Sequence, residues 1–280
     1  MKNFSGRVAA ITGAASGMGR TLALELARRG CHLALSDVNA TELNKTAEMA
    51  RAKGVNVTAE VVNVADRVAV EAWAARTAAA HGKVNLIFNN AGVALSSTME
   101  GVSYTDFEWI MGINFWGVIY GTKAFLPYLK ASGEGHIINT SSLFGLCAQP
   151  GMGAYNASKF GVRGFTEALR QELDMAGYNV SATSVHPGGI KTNIARDSRV
   201  SSNIEGLLVK DASKSSAQFE KLFITTAESA ALTILRAVER NQRRVLIGPD
   251  AKATDLLVRL LPSAYQVVLS WMARRFFKNV

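Results

Sequence analysis

Val8-Ala9-Ala10-Ile11-Thr12-Gly13-Ala14-Ala15-Ser16-Gly17-Met18-Gly19 stands close to the start of the chain, and its reading decides the fold. An uncharged, β-prone run enters three glycines in seven residues. Helical spacing follows, with Leu22 and Leu26 four apart beside Ala23 and Ala27. A buried strand that turns through glycines into a helix is the first half of a βαβ unit. Glycines let a backbone turn tightly and approach a pyrophosphate, and the free amides of a helix N-terminus attract its charge. A turn also uses glycine for steric reasons alone. The position of this loop, between strand and helix, is what points to a nucleotide.

The alternation continues outward. Short apolar, β-rich runs fall at 7–12, 32–36, 55–62, 84–89, 136–140 and 179–185, with helical segments between them. A seventh strand is expected at Arg244–Ile247, after a helix over about 227–240. Strands this apolar are expected to be covered on both faces, which predicts an α/β Rossmann-type fold with a doubly wound parallel sheet of about seven strands. The second strand ends at Asp37, eighteen residues after Gly19. A carboxylate there can accept hydrogen bonds from both hydroxyls of an adenosine ribose, and it repels a 2′-phosphate. NAD is therefore expected over NADP, with Arg7 and Arg20 as the nearby cations that would speak for the phosphate.

No composition shift marks a second domain. Residues 1–248 read as one dinucleotide-binding and catalytic unit, and 249–280 as a basic, apolar, helical extension. Inside the first, 193–221 is polar, with serines at 198, 201, 202, 213, 215 and 216, as suits a substrate-covering loop ordered by its ligand. With 48% hydrophobic and 19% charged residues, the 280-residue chain has the balance of a soluble globular protein. It has no export signal and no run of eighteen apolar residues, so a cytoplasmic protein is expected. Two cysteines and four scattered histidines match no metal or redox spacing. The net charge of +9 forms no basic run interleaved with aromatics, which argues against a nucleic-acid partner.

Tyr155 and Lys159 lie four apart in Tyr-Asn-Ala-Ser-Lys, on one face of a long helical segment. A free tyrosine is only about 0.1% ionised at pH 7, and a neighbouring ammonium favours its phenolate. Such a pair can move a proton at a carbinol oxygen, although alone it is a common surface pattern.

Taken in order, Thr12–Gly19, Asn89-Asn90-Ala91-Gly92, Asn114, Ser142, Tyr155-x-x-x-Lys159 and Pro187-Gly188-Gly189-Ile190-Lys191-Thr192 resemble the short-chain dehydrogenase/reductase family, to about residue 248. The resemblance implies an NAD(P)-dependent enzyme. Tyr155 would be the general acid/base, and Lys159 would lower its pKa and hold the nicotinamide ribose. Ser142 would stabilise charge on the substrate oxygen, and Asn114 would anchor a proton-relay water. The cofactor would lie along Gly13, Ser16, Gly17, Met18 and Gly19, reach Asp37, Asn63 and Val64, and cross Asn90, Ala91 and Gly92. It would then meet Tyr155, Lys159, Pro187, Gly188, Ile190 and Thr192. Asn63 departs from the aspartate many members carry beside adenine. A homo-oligomer is also implied, paired through the helices of Asn114 and Tyr155; Phe165, Leu169 and Leu173 form a repeat of four on the second, which suits either this pairing or packing on the sheet.

The stretches expected to border the substrate, 93–95 and 143–147 with Pro150 and Met152, are apolar and carry no cation. That composition suits a hydrophobic secondary alcohol or ketone. An NADP-dependent ketone or 3-oxoacyl-carrier reductase is the alternative enzyme, and a nucleotide-binding regulator without chemistry the alternative class. The tail pairs Lys252, Arg259, Arg274, Arg275 and Lys278 with Val267, Val268, Trp271 and Met272. Two readings remain for it: a cover over the active site, or peripheral contact with a membrane.

Overall fold

The expected first strand, β1 (Val8–Thr12), is wholly buried and leads through the glycine loop into α1 (Gly17–Arg28). The computed structural model describes residues 1–205, 208–209, 211–212, 217, 220 and 223–276, with Phe276 by its backbone alone. After α1 come β2 (His32–Asp37), α2 (Ala40–Arg51), β3 (Val57–Val61), α3 (Arg67–His81) and β4 (Leu86–Asn89). The second half holds α4 (Tyr104–Met111), α5 (Gly117–Ala131), β5 (Gly135–Thr140), α6 (Gly153–Met175) and β6 (Val180–Pro187). It closes with α7 (Ala227–Glu239), β7 (Arg244–Ile247), α8 (Pro249–Leu260) and α9 (Tyr265–Phe276).

The main sheet runs β7-β6-β5-β4-β1-β2-β3, with every neighbouring pair parallel. Alternate side chains feed two cores. Ile11, Leu35 and Phe88 meet Leu22 and Leu26 of α1 and Ile234 of α7. Ala10, Ile87 and Ile137 turn to the other face, toward Trp73 of α3, Phe125 of α5 and Leu169 of α6. Trp73 and Phe125 pack edge to face at 4.9 Å. The chain winds in opposite directions from β1 and from β4, so a crevice opens beyond the carboxyl ends of these two strands, where such sheets bind ligands.

Several expectations need correction. β3 is an edge strand and is only half-buried, so alternation survives there in place of double burial. β6 extends to Pro187, which puts His186 in the sheet. The helix expected to carry Asn114 is broken: a π-helical turn, Gly112–Trp116, joins α4 to α5. Leu169 and Leu173 face the sheet core and Phe165 packs against it, so that repeat of four serves the core. The large apolar side chains exposed on the π turn and α6 are instead Trp116, Phe160 and Met175.

Within the expected loop, 193–221, the first part is fastened down. Arg199–Val200 pairs in parallel with Leu95–Ser96. The Asn203 side-chain oxygen accepts from the Thr98 amide at 2.9 Å, and Arg199 stacks on Trp109. Positions 206–207, 210, 213–216, 218–219 and 221 of the loop lie outside the described residues.

The tail folds back on its own chain. Asp255 of α8 joins Arg244 of β7, and the Tyr265 hydroxyl accepts from the Ala148 amide at 3.2 Å. Tyr265 and Ala273 face inward, while Val267 and Trp271 stay exposed. Phe277 and Lys278 lie outside the described residues. No helix among the described residues is long and apolar enough to cross a membrane.

Candidate active site

At the end of β1 the chain turns through Gly13 and Gly17, both at positive φ (+66° and +50°), where side chains with a Cβ are strained. Gly19 is required for a different reason, since a Cβ there would run into the Gly13 carbonyl. Ser16 is the N-cap of α1 but makes no capping bond with its side chain. The first amides of the helix therefore remain available to an anion.

Thr12 ties this loop to the neighbouring strand. Its hydroxyl donates to the Phe88 carbonyl and accepts from the amides of Asn90 and Ala91, each at 3.0 Å. The Asn90 carboxamide donates to the carbonyls of Thr12 and Gly13, and its oxygen is buried without a partner. Above these residues runs a cleft of about 510 Å³, bordered by Gly13, Ser16, Gly17, Met18, Ala91 and Gly92. Its far end is formed by Asp37, Asn63 and Val64.

Asp37 is both a turn residue and a cleft residue. Its carboxylate accepts from the Ala15 and Asn39 amides, each at 3.0 Å, and its lone pairs are not exhausted by them. The two cations of interest are engaged elsewhere: Arg20 with Glu42 and Thr46, Arg7 with Glu134. A glycine cradle, an uncapped helix start, an orphaned Asn90 oxygen and a distal carboxylate together fit a dinucleotide.

The candidate catalytic side chains meet where this cleft joins a second cavity of about 350 Å³, through Met18, Asn90, Gly92 and Thr192. Tyr155 and Lys159 rise from the first turns of α6, and both are buried. The Lys159 ammonium donates to the Thr140 carbonyl at 3.1 Å and stands 5.6 Å from the centre of the Tyr155 ring. Burial pushes Lys159 down to about 8. Burial also raises Tyr155 above its ordinary value, and a hydrogen bond with Ser142 offsets part of that rise. Desolvation is the larger influence on the phenol, and Ser142 opposes it.

Ser142 follows β5 and caps the short 3₁₀ turn Leu143–Gly145, its hydroxyl accepting from the Phe144 amide at 3.1 Å. Asn114 sits in the π turn, fully buried. It accepts from the Val93 amide at 2.8 Å and donates to the Val93 carbonyl at 2.9 Å. A Cβ on Gly92 would come within 3.3 Å of the Asn114 oxygen and 3.4 Å of the Lys159 nitrogen, so these two side chains converge over one glycine.

Pro187, Gly188, Ile190 and Thr192 border the second cavity. Its apolar walls include Ala94, Leu143, Phe144, Met152 and Ile194. Of the substrate-lining residues expected from sequence, Leu95, Leu146 and Cys147 pack into the protein instead.

Sequence reasoning missed His186. It read as one of four scattered histidines, yet it stands directly behind Ser142. Its Nδ1 is 2.9 Å from the Ser142 carbonyl and its Nε2 is 2.9 Å from the Ser184 hydroxyl. A carbonyl only accepts, so Nδ1 carries the proton and Nε2 accepts from Ser184. Burial lowers this imidazole to about 4, which keeps it neutral. Its place next to Pro187, at a strand end, was the available signal.

Residues 7–203 match the short chain dehydrogenase family. SadH of Mycobacterium tuberculosis, an oxidoreductase by name, is 47% identical over 279 residues, 99% of each chain. The C alpha-dehydrogenase of a Sphingobium species is 38% identical over 204 residues, 71% of this chain and 66% of that protein. The solved structure of a short chain dehydrogenase/reductase from Burkholderia phymatum in complex with NAD has a TM-score of 0.85 at 33% identity, covering 95% of this chain and 96% of that one. With the matched span enclosing the glycine loop, Ser142, Tyr155 and Lys159, the chain belongs to the short-chain dehydrogenase/reductase family of oxidoreductases.

Proposed function

We propose that the protein interconverts a hydrophobic secondary alcohol and its ketone with NAD(H), using Tyr155 as general acid/base. One observation carries this reading: Ser142, Tyr155 and Lys159 all border an apolar cavity that opens onto the dinucleotide cleft. Bound NAD(H) supplies the hydride; the residues orient, polarise and handle the proton. Gly13 to Gly19 would hold the pyrophosphate and Asp37 the adenosine ribose. Lys159 and Thr192 would stand at the nicotinamide end.

In the reductive direction the Tyr155 hydroxyl donates its proton to the carbonyl oxygen, and the Ser142 hydroxyl donates a hydrogen bond to the same atom. In oxidation the alcohol proton passes to Tyr155, while Ser142 keeps its hydrogen bond to the substrate oxygen. His186 fixes the Ser142 backbone, and Phe144 packs edge-on to the Tyr155 ring at 6.2 Å, so neither hydroxyl has to be oriented at the moment of reaction. Asn114, which converges with Lys159 over Gly92, would anchor the water that relays a proton from it. The NAD of the Burkholderia phymatum complex and the name of the Sphingobium relative support the cofactor and the reaction type. A panel of aliphatic, terpenoid, steroidal and aryl alcohols, assayed with NAD and NADP, tests the reading. No turnover of any apolar alcohol or ketone would overturn it.

A pH dependence follows from burial. Proton donation leaves negative charge growing on Tyr155, and an ammonium at Lys159 favours it. With Lys159 held near 8, kcat for ketone reduction should be level up to about pH 8 and fall above it. Lys159→Arg, charged throughout, should carry the plateau to higher pH. A wild-type profile level to pH 9.5 would remove Lys159 from this role.

A further inference from the structure

Beyond residue 203, where the family match ends, one carboxylate among the described residues borders the catalytic cavity: Asp250, near the start of α8. Gly248, at φ +95°, turns the chain out of β7, and Pro249 opens the helix. Asp250 is thereby brought against the Gly188–Gly189 turn. One of its oxygens, Oδ2, accepts from the Gly189 amide at 2.6 Å. The other, Oδ1, is buried and has no hydrogen-bond partner. A Cβ on either Gly188 or Gly248 would run into this carboxylate. Two glycines, on two separate turns, make room for it.

A dry carboxylate oxygen without a donor is costly, so space-filling alone does not account for an aspartate in this slot. What it holds is informative. The Gly188 amide donates to the Ile247 carbonyl at 2.9 Å, and the Gly189 carbonyl accepts from the Thr225 amide at 3.3 Å. Asp250 takes the remaining amide, that of Gly189. The turn leads directly through Ile190 to Thr192, which borders both the apolar cavity and the dinucleotide cleft. Displacing the turn therefore displaces the wall where the two cavities meet. On the opposite side, Tyr265 of α9 accepts from the Ala148 amide and steadies the loop after Ser142.

We propose that Asp250 is a positioning residue, which holds the Gly188–Gly189 turn, and Thr192 with it, in place at the reactive end of the cofactor. This rests on the NAD-dependent reading of the same site. The C-terminal extension is then part of the active site's framework, although it lies outside the matched span.

The test uses the full chain. ADP-ribose, which lacks nicotinamide, reports the adenosine side of the cleft, and NADH reports both sides. Asp250→Ala should leave the ADP-ribose Kd within about twofold while weakening NADH and lowering kcat by about tenfold each, the scale of one hydrogen bond to a charged group. Asp250→Asn, whose side-chain oxygen can still accept from Gly189, should recover most of both losses. Asp250→Ser remains polar at the helix start but is too short to reach Gly189, and it should repeat the alanine result if Asp250→Ala does not fold. Unchanged NADH affinity and kcat in the alanine or serine variant would overturn the proposal. So would a matching loss of ADP-ribose binding and melting temperature, which marks a role in folding alone. Failure of the underlying NAD reading looks different: the wild type itself would bind neither ADP-ribose nor NADH.

Discussion

Tyr155→Phe lowers kcat by about a hundredfold or more and leaves NADH affinity within a factor of about two; this is the expected result if the phenol is the proton donor. The substitution is conservative in shape. The ring keeps its edge contact with Phe144 and its place in a small apolar cluster with Leu95, Ile110 and Met152. Only the hydroxyl is lost. Steady-state turnover with the best alcohol or ketone, beside a fluorescence titration with NADH, separates chemistry from binding. Turnover near the wild-type rate would mean that another group handles the proton. A nucleotide-binding protein without chemistry predicts no turnover in either form, so the wild-type measurement distinguishes that reading.

The second large effect concerns cofactor choice. Asp37→Ser should narrow the preference for NAD over NADP by about a hundredfold or more, read as the ratio of kcat/KM values. Hydrogen bonds from the two ribose hydroxyls to a charged acceptor contribute about 1.5–3 kcal/mol each. The same carboxylate opposes a 2′-phosphate, and Arg20, which borders the cleft, has its guanidinium held by Glu42 and Thr46. Serine removes the repulsion without freeing Arg20, so the variant should lose NAD efficiency more than it gains NADP efficiency. A wild-type enzyme with the higher kcat/KM on NADPH would show that Asp37 does not set the preference.

The sheet was legible because periodicity survives averaging. An uncharged run such as Val8–Thr12 can be little else than a buried strand, and the glycines after it mark where the backbone must crowd. Tyr155 and Lys159 were legible because a helix converts a spacing of four into a shared face. The rest depended on contacts distant in sequence. Asp250 lies 61 residues from Gly189, and His186 lies 44 from Ser142. Neither carries a local pattern, since what matters is which strand ends abut. The π turn at Asn114 was hidden for another reason: one extra residue in a helical turn leaves the apolar spacing on either side almost intact. The repeat Phe165, Leu169, Leu173 shows the converse failure, because periodicity identifies an apolar face without saying what covers it.

Lys159 also bears on how well the chain stays folded. In the unfolded chain a lysine titrates near 10.4, and in the folded chain this one titrates at about 8. Between these values the unfolded state binds more protons, so folding gains stability as pH rises through that window. Below pH 8 the burden is fully present, at about 3 kcal/mol on the linkage scale. The buried thiols Cys31 and Cys147, raised to about 12 and about 11, act in the opposite sense above their ordinary range, as does Tyr155 above its own, so the lysine's share is read against a variant that lacks it. The change in Tm from pH 7.5 to 9.5 should therefore be more positive for the wild type than for Lys159→Met, and equal changes would contradict this account. The residue proposed to ready the phenol for proton transfer would thus make the native state least secure at the pH where reduction is expected to run fastest.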